Sequence, residues 1–341
     1  MRWRSDDERC AACILACPQH ALWFDAAGAW RVDPGSCDGC GACASACPSQ
    51  AIDPPGVRTA ELERLPRAGA SITLRCRRHH DDGVAPCLAA VHPEALATLM
   101  LRARERTIHV DLAACERCPS GALRPVIEAH LERARAFACT AGGEPRIELQ
   151  RPAPPDAASA PALSRRDLFG RVRTHAEALV GDALAHGSGA RDARLPHRAA
   201  LLRAARERDR PGDAPPPTCD VLGAFFVAWD LGDTCDGCHA HGGPRCARVC
   251  PNRAWRLERG EGEATLMHDP ASCSGCGACQ RSCPRSALTA RPAPVTADGG
   301  ARAARSVPLA RCRGCRRSAS VGADGLCPHC AKRARLVAST G

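Results

Sequence analysis

Cys273-Ser-Gly-Cys276-Gly-Ala-Cys279-Gln-Arg-Ser-Cys283-Pro284 decides the reading of this chain, and it has a near copy in Cys37-Asp-Gly-Cys40-Gly-Ala-Cys43-Ala-Ser-Ala-Cys47-Pro48. Both follow C-x2-C-x2-C-x3-C-P. Three thiolates on one tight loop can grip three irons of a cubane. The glycines let the backbone turn with positive φ close to the sulfurs, and the proline ends the loop and directs the chain into the next element. Two chance matches to such a pattern are negligible. Cysteines so spaced in an intracellular chain read as metal ligands before they read as disulfides.

The same plan continues upstream of each run. Cys10-x2-Cys13-x3-Cys17-Pro18 is the tail of the motif without its first Cys, and Asp7 stands three residues before Cys10. Ala21-Leu22-Trp23-Phe24 and Trp30-Arg31-Val32 flank Asp25-Ala-Ala-Gly28, which predicts a hairpin. In the second copy, Cys235-x2-Cys238-x7-Cys246-x3-Cys250-Pro251 is the first half, with an insertion carrying His239 and His241. The two His are candidate ligands, but with the Cys set already complete they read first as solvated loop residues. Arg253 to Leu257 corresponds to His20 to Phe24, and Asp269-Pro270-Ala-Ser272-Cys273 to Asp33-Pro34-Gly-Ser36-Cys37. This internal repeat predicts two copies of one module, residues 1–57 and 219–291.

At these residues the chain resembles the bacterial-type dicluster [4Fe-4S] ferredoxins. In that family the fourth Cys of each run ligates the other cluster of the pair. The resemblance therefore implies four ligand sets. One is Cys17, Cys37, Cys40 and Cys43, and another is Cys10, Cys13 and Cys47 with an unassigned fourth ligand. The second module gives Cys235, Cys238, Cys246 and Cys283, and then Cys250, Cys273, Cys276 and Cys279. Three [4Fe-4S] clusters are complete and one is incomplete. For its open position the sequence leaves the Asp7 carboxylate, an empty [3Fe-4S] corner, Cys139 folding back, or a Cys upstream of Met1.

Residues 68–139 follow another plan. Ser71 to Leu74 is a short strand ending at Cys76, and Cys87 follows. Pro93 to Arg104 has helical spacing with Pro in the first turn, Thr107 to Leu112 alternates like a strand, and Cys115-x2-Cys118-Pro119 precedes a second helix, Ala122 to Ala138. Strand–helix–strand–helix predicts a small α/β domain with all four Cys at strand exits. The spacing resembles thioredoxin-like [2Fe-2S] ferredoxins, although that family usually has three residues rather than two inside the last pair. A [2Fe-2S] cluster, zinc, and reduced structural or redox-active thiols all remain open for Cys76, Cys87, Cys115 and Cys118.

Residues 140–218 are rich in Pro, Ala and Arg and read as a linker holding two short helices, Arg165–Val180 capped by Ser164, and Pro196–Arg208. Ser164-Arg-Arg-Asp-Leu-Phe169 has the look of a twin-arginine export box, but it lies mid-chain with no hydrophobic segment behind it. The same start followed by a ferredoxin unit resembles cytoplasmic accessory ferredoxins of molybdenum oxidoreductase systems. Within residues 308–335, Cys312-x2-Cys315-x11-Cys327-Pro-His-Cys330 reads as a zinc-ribbon-like knuckle, whose short loop needs a metal to hold it. Cys139 and Cys219 sit in no motif.

Composition fits this picture. The 341 residues are 45% hydrophobic but only 3% aromatic, with no Tyr. Much of the apolar count is Ala and Cys, so metal sites are expected to supply folding energy that a thin core does not. The charge, 47 − 37 = +10, comes almost wholly from Arg. A cubane core of about +2 held by four thiolates nets about −2 per site, which brings the metallated chain toward neutrality. Neither charge nor aromatic content argues for nucleic-acid binding. No apolar run reaches membrane-spanning length, so a cytoplasmic location without a membrane span is expected. The chain lacks a Gly-rich nucleotide loop and a metalloprotease helix motif. The expectation is an α+β protein that relays single electrons between a donor and an acceptor redox protein, such as a molybdenum oxidoreductase, without a catalytic site of its own. The alternative is an accessory or assembly factor for such an enzyme.

Overall fold

A computed structural model describes residues 10–54, 57, 71–151, 195–207, 225–238, 244–293 and 300–338. The chain divides into two compact units, residues 11–212 and residues 213–341 together with 1–10. Asp7, Cys219, His239, His241 and the helix expected over Arg165–Val180 lie outside the described residues.

In the first unit, the short helix α1 (Ala12–Leu15) leads into an antiparallel hairpin of β1 (Leu22–Phe24) and β2 (Trp30–Val32), with Leu22 opposite Val32. The turn forms where the sequence predicts it. Asp25 accepts from the Ala29 amide through Oδ1 at 2.8 Å and holds Arg31 through Oδ2 at 2.8 Å. The helix α2 (Ala42–Ser45) follows on the Cys37–Cys43 loop.

The α/β domain comes next. β3 (Ser71–Leu74), β4 (Thr107–Asp111) and β5 (Arg146–Gln150) form a wholly parallel sheet in chain order. Ile72, Ile108 and Ile147 stand in one register row, and Leu74, Val110 and Leu149 in another. The alternation of buried Ile72 and Leu74 with exposed Ser71 and Thr73 shows that one face is covered. Two helices carry the crossovers, α3 (Pro93–Ala103) and α4 (Arg124–Thr140), and they pack on each other. α3 starts cleanly because Pro93 opens it and the His92 imidazole accepts from the Glu94 amide. β5 lies inside the stretch expected to be linker. Its Arg-Ile-Glu-Leu-Gln alternation is strand-like, but it follows a Gly-Gly pair and precedes a Pro-rich run that mask it. α5 (Pro196–Glu207), predicted as a linker helix, packs on α3 and buries Ala200, Leu201, Ala204 and Ala205. The thioredoxin-like reading of residues 68–139 rests on Cys spacing alone, since a parallel β-α-β-α-β run in chain order follows from crossover geometry whatever the family.

In the second unit, β6 (Val227–Leu231) pairs antiparallel with β9 (Leu288–Pro292) and so brings the two ends of the module together. Between them stand α6 (Arg245–Val249), the hairpin β7 (Trp255–Arg259) and β8 (Glu263–His268), and α7 (Ala278–Arg281). The sequence reading misses a further strand, β10 (Arg302–Pro308). It adds to the free edge of β8, with a register shift between Ala303 and Arg305. Four of its seven residues are Arg, Ser or Pro, which leaves no alternation to read. The C-terminal knuckle consists of β11 (Ala310–Arg311), β12 (Ser318–Ala319) and α8 (Pro328–Ala338). No helix among the described residues is long and apolar enough to cross a membrane.

Candidate metal centres

The Cys-Pro ends of the four half-motifs share one backbone solution. Three residues after each such Cys, the chain enters the left-handed region at a residue that is not glycine: His20 (φ 51°), Gln50 (φ 47°), Arg253 (φ 54°) and Ser286 (φ 49°). The amide of each donates to the carbonyl of its Cys, from 2.9 Å for Gln50 to 3.4 Å for Arg253. The next amide is thereby aimed at sulfur. Ala51 N–H points to Cys47 Sγ at 3.4 Å, Ala254 N–H to Cys250 Sγ at 3.3 Å, and Ala287 N–H to Cys283 Sγ at 3.4 Å. Such N–H···S bonds favour the thiolate and tune the potential of a bound cluster. A left-handed non-glycine residue costs of order 1 kcal/mol, so its recurrence at one offset from four cysteines marks a geometry the sulfurs require.

In the second module the sulfurs gather across the half-motifs. Cys279 faces Cys273, Cys276 and Cys250. Burial pushes the Cys273 thiol up to about 11, and its neighbours Cys250 and Cys276 push the same way. These four side chains, with Trp229, Trp255 and Asn252, line one pocket. Cys246 faces Cys238, Cys235 and Cys283, and burial raises it to about 12. Each half-motif thus gives its last Cys to the other's group. Protonated thiols gain nothing from being crowded together under burial, whereas thiolates around a cationic core remove both penalties. The donor sets fit iron–sulfur clusters.

The first module repeats this in part. Cys43 is raised to about 11 by burial and then by Cys13, Cys17 and Cys37. Cys40 is raised to about 12 by burial, with Asp38 and Cys87 adding to it. Cys47 is buried against Ser49, whose Oγ lies 3.4 Å from its sulfur. Cys10 is half-buried just before α1, and Cys139 is an exposed residue of α4.

The four Cys of the α/β domain come together as well. Cys76, Cys87, Cys115 and Cys118 line one pocket at the exits of β3 and β4, with Arg78 and Ser120 at its wall. Burial raises Cys87 and Cys115 to about 11, and Cys76 and Cys118 push the same way in both cases. The loop carrying Cys115 and Cys118 closes through the Gly121 amide on the Cys118 carbonyl at 2.8 Å. A Cβ on Gly121 would sit 2.1 Å from the Cys115 carbonyl oxygen, so no other residue fits there. The sequence reading misses what this pocket touches. Gly41, φ +76° in the Cys37–Cys43 loop, packs so closely on Ala90 that a Cβ on it would lie 2.6 Å from the Ala90 Cβ. The Cys40–Cys87 proximity is a consequence.

The C-terminal quartet has a tighter geometry. The ligand atoms of Cys312, Cys315, Cys327 and Cys330 all lie within 4.8 Å of one another, and the sulfurs of Cys315 and Cys327 are 3.9 Å apart. Among the described residues no other group of Cys, His or carboxylates is so drawn together. Four thiolates at about 2.3 Å around one tetrahedral ion would be about 3.8 Å apart, so this site fits a single metal ion. The Cys327 amide donates to Cys312 Sγ at 3.2 Å, and this bond leads the causes that lower the Cys312 thiol to about 6.

A family comparison places the 4Fe-4S dicluster domain at residues 8–57 and again at 234–287. A comparison with curated proteins found no match. Two such domains indicate an iron–sulfur protein of electron-transfer type that holds [4Fe-4S] clusters.

Proposed function

We propose that this chain is a multi-cluster electron carrier that relays single electrons between a donor and an acceptor redox protein, with no substrate-turnover site of its own. The observation that carries the reading is the exchange of sulfurs in the second module, with Cys250 among Cys273, Cys276 and Cys279, and Cys283 among Cys235, Cys238 and Cys246. Crossed ligation places two clusters side by side, and clusters at such range pass electrons by tunnelling. The polypeptide spaces the sulfurs, excludes water and supplies N–H···S bonds. Cys17, Cys37, Cys40 and Cys43 are proposed as the complete set of the first module, and Cys10, Cys13 and Cys47 as three ligands of its second cluster, with Asp7 the candidate for the fourth position. Cys312, Cys315, Cys327 and Cys330 are proposed to hold structural zinc, on the strength of their single-ion spacing. An acceptor of the molybdenum oxidoreductase class is proposed on the Ser164-Arg-Arg-Asp-Leu-Phe169 likeness alone.

The test is kinetic. Anaerobically purified protein, reduced by a donor protein from the same cells, should be reoxidised by the acceptor enzyme on the timescale of turnover. A chain that binds only the immature apoenzyme, and is absent from the active complex, would be an assembly factor instead.

A further inference from the structure

Asp38 stands between two ligands of the first-module loop, yet its side chain is engaged by the α/β domain. Arg78, two residues after Cys76, reaches Asp38 Oδ2 through Nη1 at 3.3 Å and also donates to the Asp38 carbonyl. The same Nη1 donates to Ser120 Oγ at 2.7 Å, and Ser120 in turn donates to Asp38 Oδ2. Ser120 follows Cys118 by two residues. The Asp38 Oδ1 accepts from the Cys40 amide at 3.1 Å. Asp38, Arg78 and Ser120 therefore form a closed triangle whose corners each lie within two residues of Cys37 and Cys40, Cys76, or Cys118. Arg78 also lines the pocket of Cys76, Cys87, Cys115 and Cys118. The Gly41–Ala90 contact brings the segment of Cys87 against the same loop.

We propose that the pocket of Cys76, Cys87, Cys115 and Cys118, for which the spacing resemblance already implies a [2Fe-2S] cluster, is docked directly on the Cys37–Cys43 loop as a neighbouring electron station, and that Arg78 is the positioning residue that lets the two sites exchange electrons. This rests on the electron-carrier reading and names a further station in it. The pocket draws two thiols from the loop after β3 and two from the loop after β4, which suits two irons with two thiolates each. It lacks the tight spacing that the C-terminal quartet shows and that a single tetrahedral ion requires. Two anionic sites so close repel each other, and a permanently charged guanidinium between them offsets that repulsion. One electron crosses between the sites, no bond is made or broken, and a one-electron donor such as dithionite or a reduced partner protein supplies it.

The experiment uses the full chain, reconstituted anaerobically with iron and sulfide, and reads metal content and EPR. Wild type should show a slowly relaxing [2Fe-2S] signal that persists at temperatures where cubane signals have broadened away, and that signal should itself broaden by spin coupling once the neighbouring cluster is reduced. Cys118→Ser should lose that signal and about two irons per chain. Arg78→Gln, which keeps every Cys, should lower both potentials by at least tenfold in the reduction equilibrium, 59 mV for one electron, and Arg78→Lys should recover most of that shift. The proposal is overturned if Cys118→Ser loses zinc instead of iron, if wild type lacks the slowly relaxing signal, or if Arg78→Gln moves neither potential. Should the two ferredoxin modules take up no reducible cluster at all, it is the carrier reading itself that fails.

Discussion

Arg198→Met should destabilise the first unit by about 3–5 kcal/mol at neutral pH, the cost of leaving one partner of a buried ion pair uncompensated. Both partners are almost fully enclosed, with side-chain exposures of 2% for Arg198 and 4% for Glu94, and Arg198 Nη2 lies 2.6 Å from Glu94 Oε1. The other carboxylate oxygen accepts from Gln50 Nε2 at 3.0 Å, and Gln50 Oε1 accepts from the His197 amide at 2.9 Å. Gln50 is one of the left-handed residues that aim an amide at sulfur, so the pair holds α3, α5 and the Cys47 turn together. Burial pushes the Glu94 carboxyl up, but Arg198 and then His92 bring it below its ordinary value. In wild type its contribution is therefore present above the unfolded value near 4.3 and lost only as pH falls through the lower folded one. Without Arg198 burial prevails and the carboxyl rises above its unfolded value. The variant's deficit should then shrink as pH is lowered from 8 to 5. Anaerobic urea unfolding, followed by far-ultraviolet dichroism at several pH values, measures both effects. Glu94→Gln/Arg198→Met should recover at least about 2 kcal/mol relative to the single variant. A single-variant loss under about 1 kcal/mol, or a deficit that grows on acidification, would refute the reasoning.

Other expectations follow from single contacts. Gly41→Ala places a Cβ 2.6 Å from that of Ala90 at φ +76°. It should cost about 2–4 kcal/mol from left-handed strain and overpacking together, read as a lower urea midpoint, with Ala90→Gly relieving only the packing part. His268 is buried against Trp255, ring centroids 4.5 Å apart, and burial lowers it to about 4. Its folded value lies below the unfolded one, so its contribution is full above about pH 6.5 and falls by up to about 1.4 kcal/mol per pH unit down to the folded value, a slope that His268→Phe should flatten in tryptophan-monitored unfolding. Cys330→Ser should release one metal ion and melt α8 and the β11–β12 pair while iron–sulfur absorbance stays intact, as seen by metal analysis and dichroism.

How much of this was legible in the sequence depended on whether a residue's role was local. The hairpin around Asp25, the crossover helices and the gathering of the C-terminal Cys quartet were all visible, because spacing and turn chemistry act over a few residues. Cross-grouping of Cys250 with the Cys273 loop was legible only through the family likeness, since nothing in the spacing says which half-motif a fourth sulfur joins. The Asp38–Arg78–Ser120 triangle and the Glu94–Arg198 pair were not legible. Their partners are 40 to 104 residues apart, and a charged residue bound for burial looks like any surface Arg in an Arg-rich chain. The strand β5 carried its alternation openly and was lost to the composition around it. β10 had no such pattern to find.

The two ferredoxin modules started from one plan, and their differences show what each was fitted to. In the second, β6 and β9 close the module on itself and β10 covers the edge of its hairpin. In the first, the described residues contain only the hairpin, with Trp23 and Trp30 each more than two-fifths exposed, whereas Trp255 of the second hairpin is buried. What the first module lacks in strands it gains in contacts with the α/β domain, through Gly41 on Ala90, Asp38 on Arg78 and Gln50 on Glu94. All three contacts fall on or next to the Cys loops rather than on the hairpin. A domain recruited only for stability would cover the exposed apolar hairpin, where each Å² removed from water contributes most. Placement against the sulfur loops instead uses the docking area where it shapes burial, charge and distance at the cysteine groups, as the proposed relay requires and a mere scaffold does not.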